Sequence, residues 1–140
     1  MQDWRWRLGG LAAALWWGSL TALFVMVPLL FAYLPSHAVT GNAAAHLFTA
    51  QSWISAGCAV LLLALTRALP QPAARGLLPW VILGLLLALL VEYAVAPHIV
   101  ARDHLAFWHT LGSLMLLVQW ACALVTLWRL LGAAGRSDEI

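Results

Sequence analysis

The chain has 140 residues, 64% of them hydrophobic and 9% charged, and a formal net charge of +2. A water-soluble domain carries about a quarter charged residues, so this composition excludes one and makes a lipid bilayer the natural solvent. All seven basic residues are arginines, scattered along the chain without the stripe that would track a nucleic-acid backbone.

Four apolar stretches reach spanning length, at about Leu8–Leu34, Ala43–Thr66, Gly76–Ala96 and Leu105–Leu131. At 1.5 Å per residue even the third gives about 30 Å of helix, enough to cross the hydrocarbon core. The runs are rich in leucine and alanine and lack the alternation of a barrel strand. The predicted fold is all-α: one integral membrane domain over residues 1–140, four transmembrane helices in an antiparallel bundle, and a short tail over 132–140. The first run follows Arg5 and Arg7 as a signal peptide would. It is too long for an h-region and no small-residue cleavage site closes it, so it is read as a retained helix. Pro28 is expected to kink that helix and Pro35 to stop it. Pro79 falls in the predicted first turn of the third helix, and Pro97 is expected to end it.

Arginine placement sets the expected orientation. With four spans, the N-terminus, the loop RALPQPAAR and the C-terminal tail share one side, holding Arg5, Arg7, Arg67, Arg75, Arg129 and Arg136, while the other side holds only Arg102. By the positive-inside rule both termini are cytoplasmic. His37, His46, His98, His104, His109, Glu92 and Asp103 then gather at or near the outer face.

Lipid tails solvate leucine as well as a protein core does, so helices associate through close packing and a few polar contacts. Gly10, Ala14, Gly18 and Ala22 offer a small-residue face on the first helix, and Gly84, Ala88 and Glu92 one on the third. His109, Ser113, Leu116, Gln119 and Thr126 fall near one stripe of the fourth helix, and His46, Thr49 and Trp53 align on the second. Trp4, Trp6, Trp80 and Trp128 suit one membrane interface, with Tyr33, Tyr93 and Trp108 at the other. Trp16, Trp17, Trp53 and Trp120 lie deeper. Cys58 and Cys122, each inside an apolar run, read as small packing residues.

The outer polar residues admit several chemistries. His46 and His109 open the second and fourth helices and Glu92 closes the third, so two imidazoles and a carboxylate would converge as a metal site, with Met26 and Met115 at a depth that suits copper. No HxxxH, HxH or CxxC pair accompanies them. Haem b would need His46 facing His109 across the bundle. A proton relay or transport site would rest on Glu92, the sole carboxylate within the predicted spans. His37, His98 and His104 are placed in loops, where imidazole meets water. No nucleophile elbow or oriented triad appears near Ser36 or Ser113.

These residues also carry a family resemblance. The segments LWWGSLTALFVMVPLLFAYLP at 15–35 and GNAAAHLFTAQSWISAGCAVLLL at 41–63 place Trp17, Pro28, Phe31, Pro35, Leu47 and Phe48 in a recurring order. FWHTLGSLMLLVQWACAL at 107–124 adds Trp108, His109, Gly112 and Ser113, with Gln119 and Trp120 beyond. Together they resemble a bacterial family of unknown function related to animal transmembrane protein 205. The resemblance implies four transmembrane helices and no established activity. It also implies that His46 is not a fixed histidine, which leaves His109 as the histidine with family backing.

The sequence thus describes a multi-pass protein of the bacterial inner membrane, non-enzymatic, with an outward-facing polar pocket around His109 and Glu92. Its expected partners are the lipid bilayer, a second copy or other membrane proteins, and no nucleic acid. The alternative is a redox protein that binds haem or copper through His109 and His46.

Overall fold

The structure, a computed structural model, describes residues 3–137 and the side chains of 4–135. Helix α1 covers Asp3–Tyr33 and α2 covers His37–Thr66; α3 covers Gln71–Leu90 and runs through a π-helical segment, Val91–Val95, into α4, Ala96–Val100. Helix α5 covers Leu105–Ser137. The segments Trp4–Tyr33, His37–Thr66, Gln71–Val100 and Leu105–Gly135 are long and apolar enough to cross a membrane.

Each helix starts earlier or ends later than hydropathy suggests, for local reasons. Ser36 is extended and accepts the amide of Val39 at 3.2 Å, so α2 begins at His37 rather than near Ala43, and His37 is helical rather than in a loop. Pro72, not Pro79, occupies the first turn of α3, where a missing N–H costs nothing. Ala74 and Leu77 are buried there, so the connecting segment is packed into helix, and Pro79 falls in the interior. Helix α1 is continuous through Pro28. Helix α5 continues to Ser137 across most of the expected tail, whose residues 138–140 lie outside the described residues.

Pro97 does not end the third span. A proline ring crowds the carbonyl four residues back and offers no N–H to it, which breaks an ordinary helix. Here the chain widens by one residue before the proline, with the Ala96 amide donated to the Val91 carbonyl, and helix resumes to Val100. The wide turn carries Glu92.

Helices α1 and α3 each pack against both α2 and α5, so the four spans close into a ring. Its centre is Trp16, fully buried, whose indole lies against Gly84 of α3; a Cβ at Gly84 would collide with Cη2 and Cζ2 of that ring. Gly84 therefore serves as a hollow for a tryptophan, and Ala88, one turn on, is buried as well. The ridge Gly10, Ala14, Gly18, Ala22 instead faces outward, with nothing within 4 Å of a Cβ built on Gly10 or Gly18. Where lipid solvates both faces of a helix equally, shape decides which turns inward, and in α1 the bulky Trp16, Leu20 and Leu23 do.

Candidate functional site

At the end of the ring near α4, a cavity of about 90 Å³ lies between α2, the π segment and α5. Its polar lining is Thr49 from α2, Glu92 from the π segment, and His109 and Ser113 from α5, set among Phe48, Val95 and Leu116. Gly112 allows this convergence: a Cβ there would stand 3.1 Å from Val95 Cγ1, so α5 can press against the π turn. Glu92 is half-buried and His109 is exposed at the rim, where it also borders an open groove of about 460 Å³ with Phe24 of α1. The space, open at its rim, would take about three waters at 30 Å³ each. Organic ligand pockets run to about 300–1,000 Å³, so this cavity is small beside them.

The structure brings Glu92 and His109 to one cavity and leaves His46 out of it. His46 is exposed on α2 and is absent from the cavity lining. Among the described residues no three His, Cys, Asp or Glu side chains form a group that could hold a metal ion. Met26 faces outward from α1. Phe31 is exposed, with its ring 6.5 Å from that of His37, and Pro28 also faces outward.

The turn between α4 and α5 is more organised than scattered imidazoles in water, and His98 is helical, in α4, rather than in a loop. His98 stacks on Trp108 with ring centroids 4.1 Å apart and planes 3° from parallel. Asp103 stands 2.6 Å from His104 Nδ1 and 3.6 Å from His98 Nδ1. Arg102 and His104 take positive φ, 54° and 42°, which turns the chain within four residues at some backbone cost. All three polar partners are exposed, so they organise the turn without burying charge.

Midway along the spans a polar seam holds the ring together. Trp16 Nε1 donates to Gln119 Oε1 at 3.3 Å, and Trp120 Nε1 donates to Thr21 Oγ1 at 2.9 Å, both tying α1 to α5. Gln51 Nε2 donates to Ser19 Oγ at 3.0 Å, tying α2 to α1, and to Ser55 Oγ of its own helix at 3.1 Å. Gln119 is thus structural at its oxygen, while its Nε2 and the Ser52 hydroxyl are buried without a protein partner among the described residues. Thr126 donates to the Cys122 carbonyl of its own helix. Sequence reading found Gln119 and missed Gln51. The stripe His46, Thr49, Trp53 is not the inward face of α2: Trp53 is 57% exposed, whereas Gln51, Ser52 and Ser55 are buried. The spacing Ala44, Gln51, Ser55, Leu62 marks that face.

Fold and site together define a helical membrane protein with four candidate spans, a polar seam at mid-depth and one small polar cavity near an end. The chain belongs to the family described as a domain of unknown function, DUF4149, which matches residues 11–107. The match takes in Thr49 and Glu92 and stops short of His109, Ser113 and Gln119. No curated protein and no solved structure matches the chain.

Proposed function

We propose that this chain is a non-enzymatic protein of the bacterial inner membrane that binds a proton or small cation in the Glu92 cavity and so assists transport across the bilayer. The observation that carries this is Glu92 itself: the one carboxylate of the spanning segments, set in a π turn and lining a cavity with His109, Thr49 and Ser113. Carboxylates are expensive at membrane depth, and π turns recur where a helix has been re-shaped for a task. Arginine placement supports an antiparallel bundle with both termini in the cytoplasm, which turns the cavity outward. The kinship with transmembrane protein 205 read from the sequence segments is part of the same proposal. So is assembly with a second copy or another membrane protein, supported by the outward small-residue ridge of α1.

The test is complementation of a deletion strain by Glu92→Gln and His109→Ala, with far-UV circular dichroism and thermal melts of the purified variants. The proposal expects both to fold and to lose function, with Glu92→Gln the more severe. Two folded variants that complement fully would make the cavity a packing feature. Reporter fusions that place residue 140 outside would overturn the orientation.

A further inference from the structure

We propose that the end of the ring opposite the Glu92 cavity holds the phosphate of an anionic phospholipid, with Arg129 as its ligand. A groove of about 640 Å³ lies there between α1, α3 and α5, lined by Trp6, Gly76, Trp128 and Arg129 among smaller residues. Arg129 reaches across to α3 because Gly76 has no side chain: a Cβ at Gly76 would lie 2.9 Å from Arg129 Nη1. A glycine in a helix interior costs about 0.5–1 kcal/mol relative to alanine, and here it makes room for a guanidinium.

The described side chains offer that guanidinium no anion. Among the described residues Arg129 forms no ion pair, and no carboxylate lines the groove. Helix α3 starts beside it with no side-chain cap and no acidic residue in its first turn, so the helix end adds positive potential rather than relieving it. The charge of Arg129 carries the argument, and the helix end reinforces it.

The depth points to a lipid phosphate as the anion. A span of 30 residues is about 45 Å long against about 30 Å of hydrocarbon, which leaves about 7 Å at each end among headgroups. Arg129 lies in the last three turns of α5 and beside the first two turns of α3, near the boundary where lipid phosphates begin. Trp6 and Trp128 flank it, as indoles do at that level. A planar guanidinium can donate two parallel N–H bonds to a phosphodiester. The ammonium of a zwitterionic headgroup would find no carboxylate in the groove, so an anionic lipid is preferred.

Native mass spectrometry of the full-length protein, released from micelles containing equal phosphatidylglycerol and phosphatidylcholine, tests this. The wild type is expected to retain phosphatidylglycerol selectively. Arg129→Gln should weaken retention about fivefold, the worth of one arginine near an anionic surface, and Arg129→Lys should restore part of it. Gly76→Leu keeps every charge but evicts the guanidinium, and should weaken retention as Arg129→Gln does. Arg75→Gln, exposed at the same end but outside the groove, should change nothing. Equal loss in Arg75→Gln would reduce the effect to diffuse surface charge and overturn the site. Unchanged retention in Gly76→Leu, or displacement of lipid by millimolar inorganic phosphate, would overturn it as well. If Arg129→Gln does not fold, the Arg129→Lys and Gly76→Leu comparison decides.

Discussion

Gly84→Ala is the sharpest perturbation of this fold, because the expected sign is opposite to that of the same change elsewhere. In an exposed helix interior, replacing glycine by alanine gains about 0.5–1 kcal/mol. At Gly84 the added methyl meets the six-membered ring of Trp16, which is fully buried and pinned through Nε1 to Gln119. Forcing the ring aside costs about 1–3 kcal/mol of overpacking, and losing the Trp16–Gln119 bond adds about 0.6 kcal/mol. Against the propensity gain, the net loss is about 1–3 kcal/mol. Gly18→Ala, where nothing lies within 4 Å, should be neutral or stabilising. SDS titration in mixed micelles, followed by far-UV circular dichroism, compares the two. In a Trp16→Leu background the ring is gone and Gly84→Ala should recover its ordinary gain. If Gly84→Ala matches Gly18→Ala in the wild type, or keeps its cost in the Trp16→Leu background, the tryptophan-in-hollow account of the core is wrong.

Other expectations follow from single contacts. Ser36→Ala removes the cap of α2 and should cost about 1 kcal/mol, with faster amide exchange confined to residues 37–40. Trp120→Phe and Thr21→Val each break the same α1–α5 bond, so a double-mutant cycle should return a coupling of about 0.6 kcal/mol; zero coupling would mean the bond is not made in lipid. Arg102→Gly relieves a positive φ and should raise stability by up to about 1 kcal/mol, whereas a loss would assign Arg102 a contact that outweighs the strain. His98→Ala should alter the emission of Trp108, read as the difference from Trp108→Phe, and an unchanged spectrum would deny the stack.

The four spans were legible because length and apolarity alone define them. Which face of each span turns inward was not, and lipid is the reason. In water the apolar stripe marks the core; in a bilayer both faces of α2 are apolar, and His46 and Trp53 attract notice while Gln51, Ser52 and Ser55 carry the packing. Small residues misled in the same way: the same i+4 spacing is an outward ridge on α1 and the hollow for Trp16 on α3. Pro97 signalled an interruption, but not whether the helix would stop there or widen by one residue and resume. Glu92 and His109 line one cavity and His46 does not, a difference of side-chain direction that sequence, which gives only depth, does not carry.

Helix α5 ties these features into one arrangement. It supplies His109 to the cavity near α4, Gln119 to the seam at mid-depth, and Arg129 to the groove at the opposite end. Each residue faces a different partner: the π segment, Trp16 of α1, and Gly76 of α3. The family match ends at residue 107, so all three lie beyond it, while Glu92, Trp16 and Gly76 lie inside it. The two halves meet at Glu92 with His109, at Trp16 with Gln119, and at Gly76 with Arg129, so none of these sites is complete without α5.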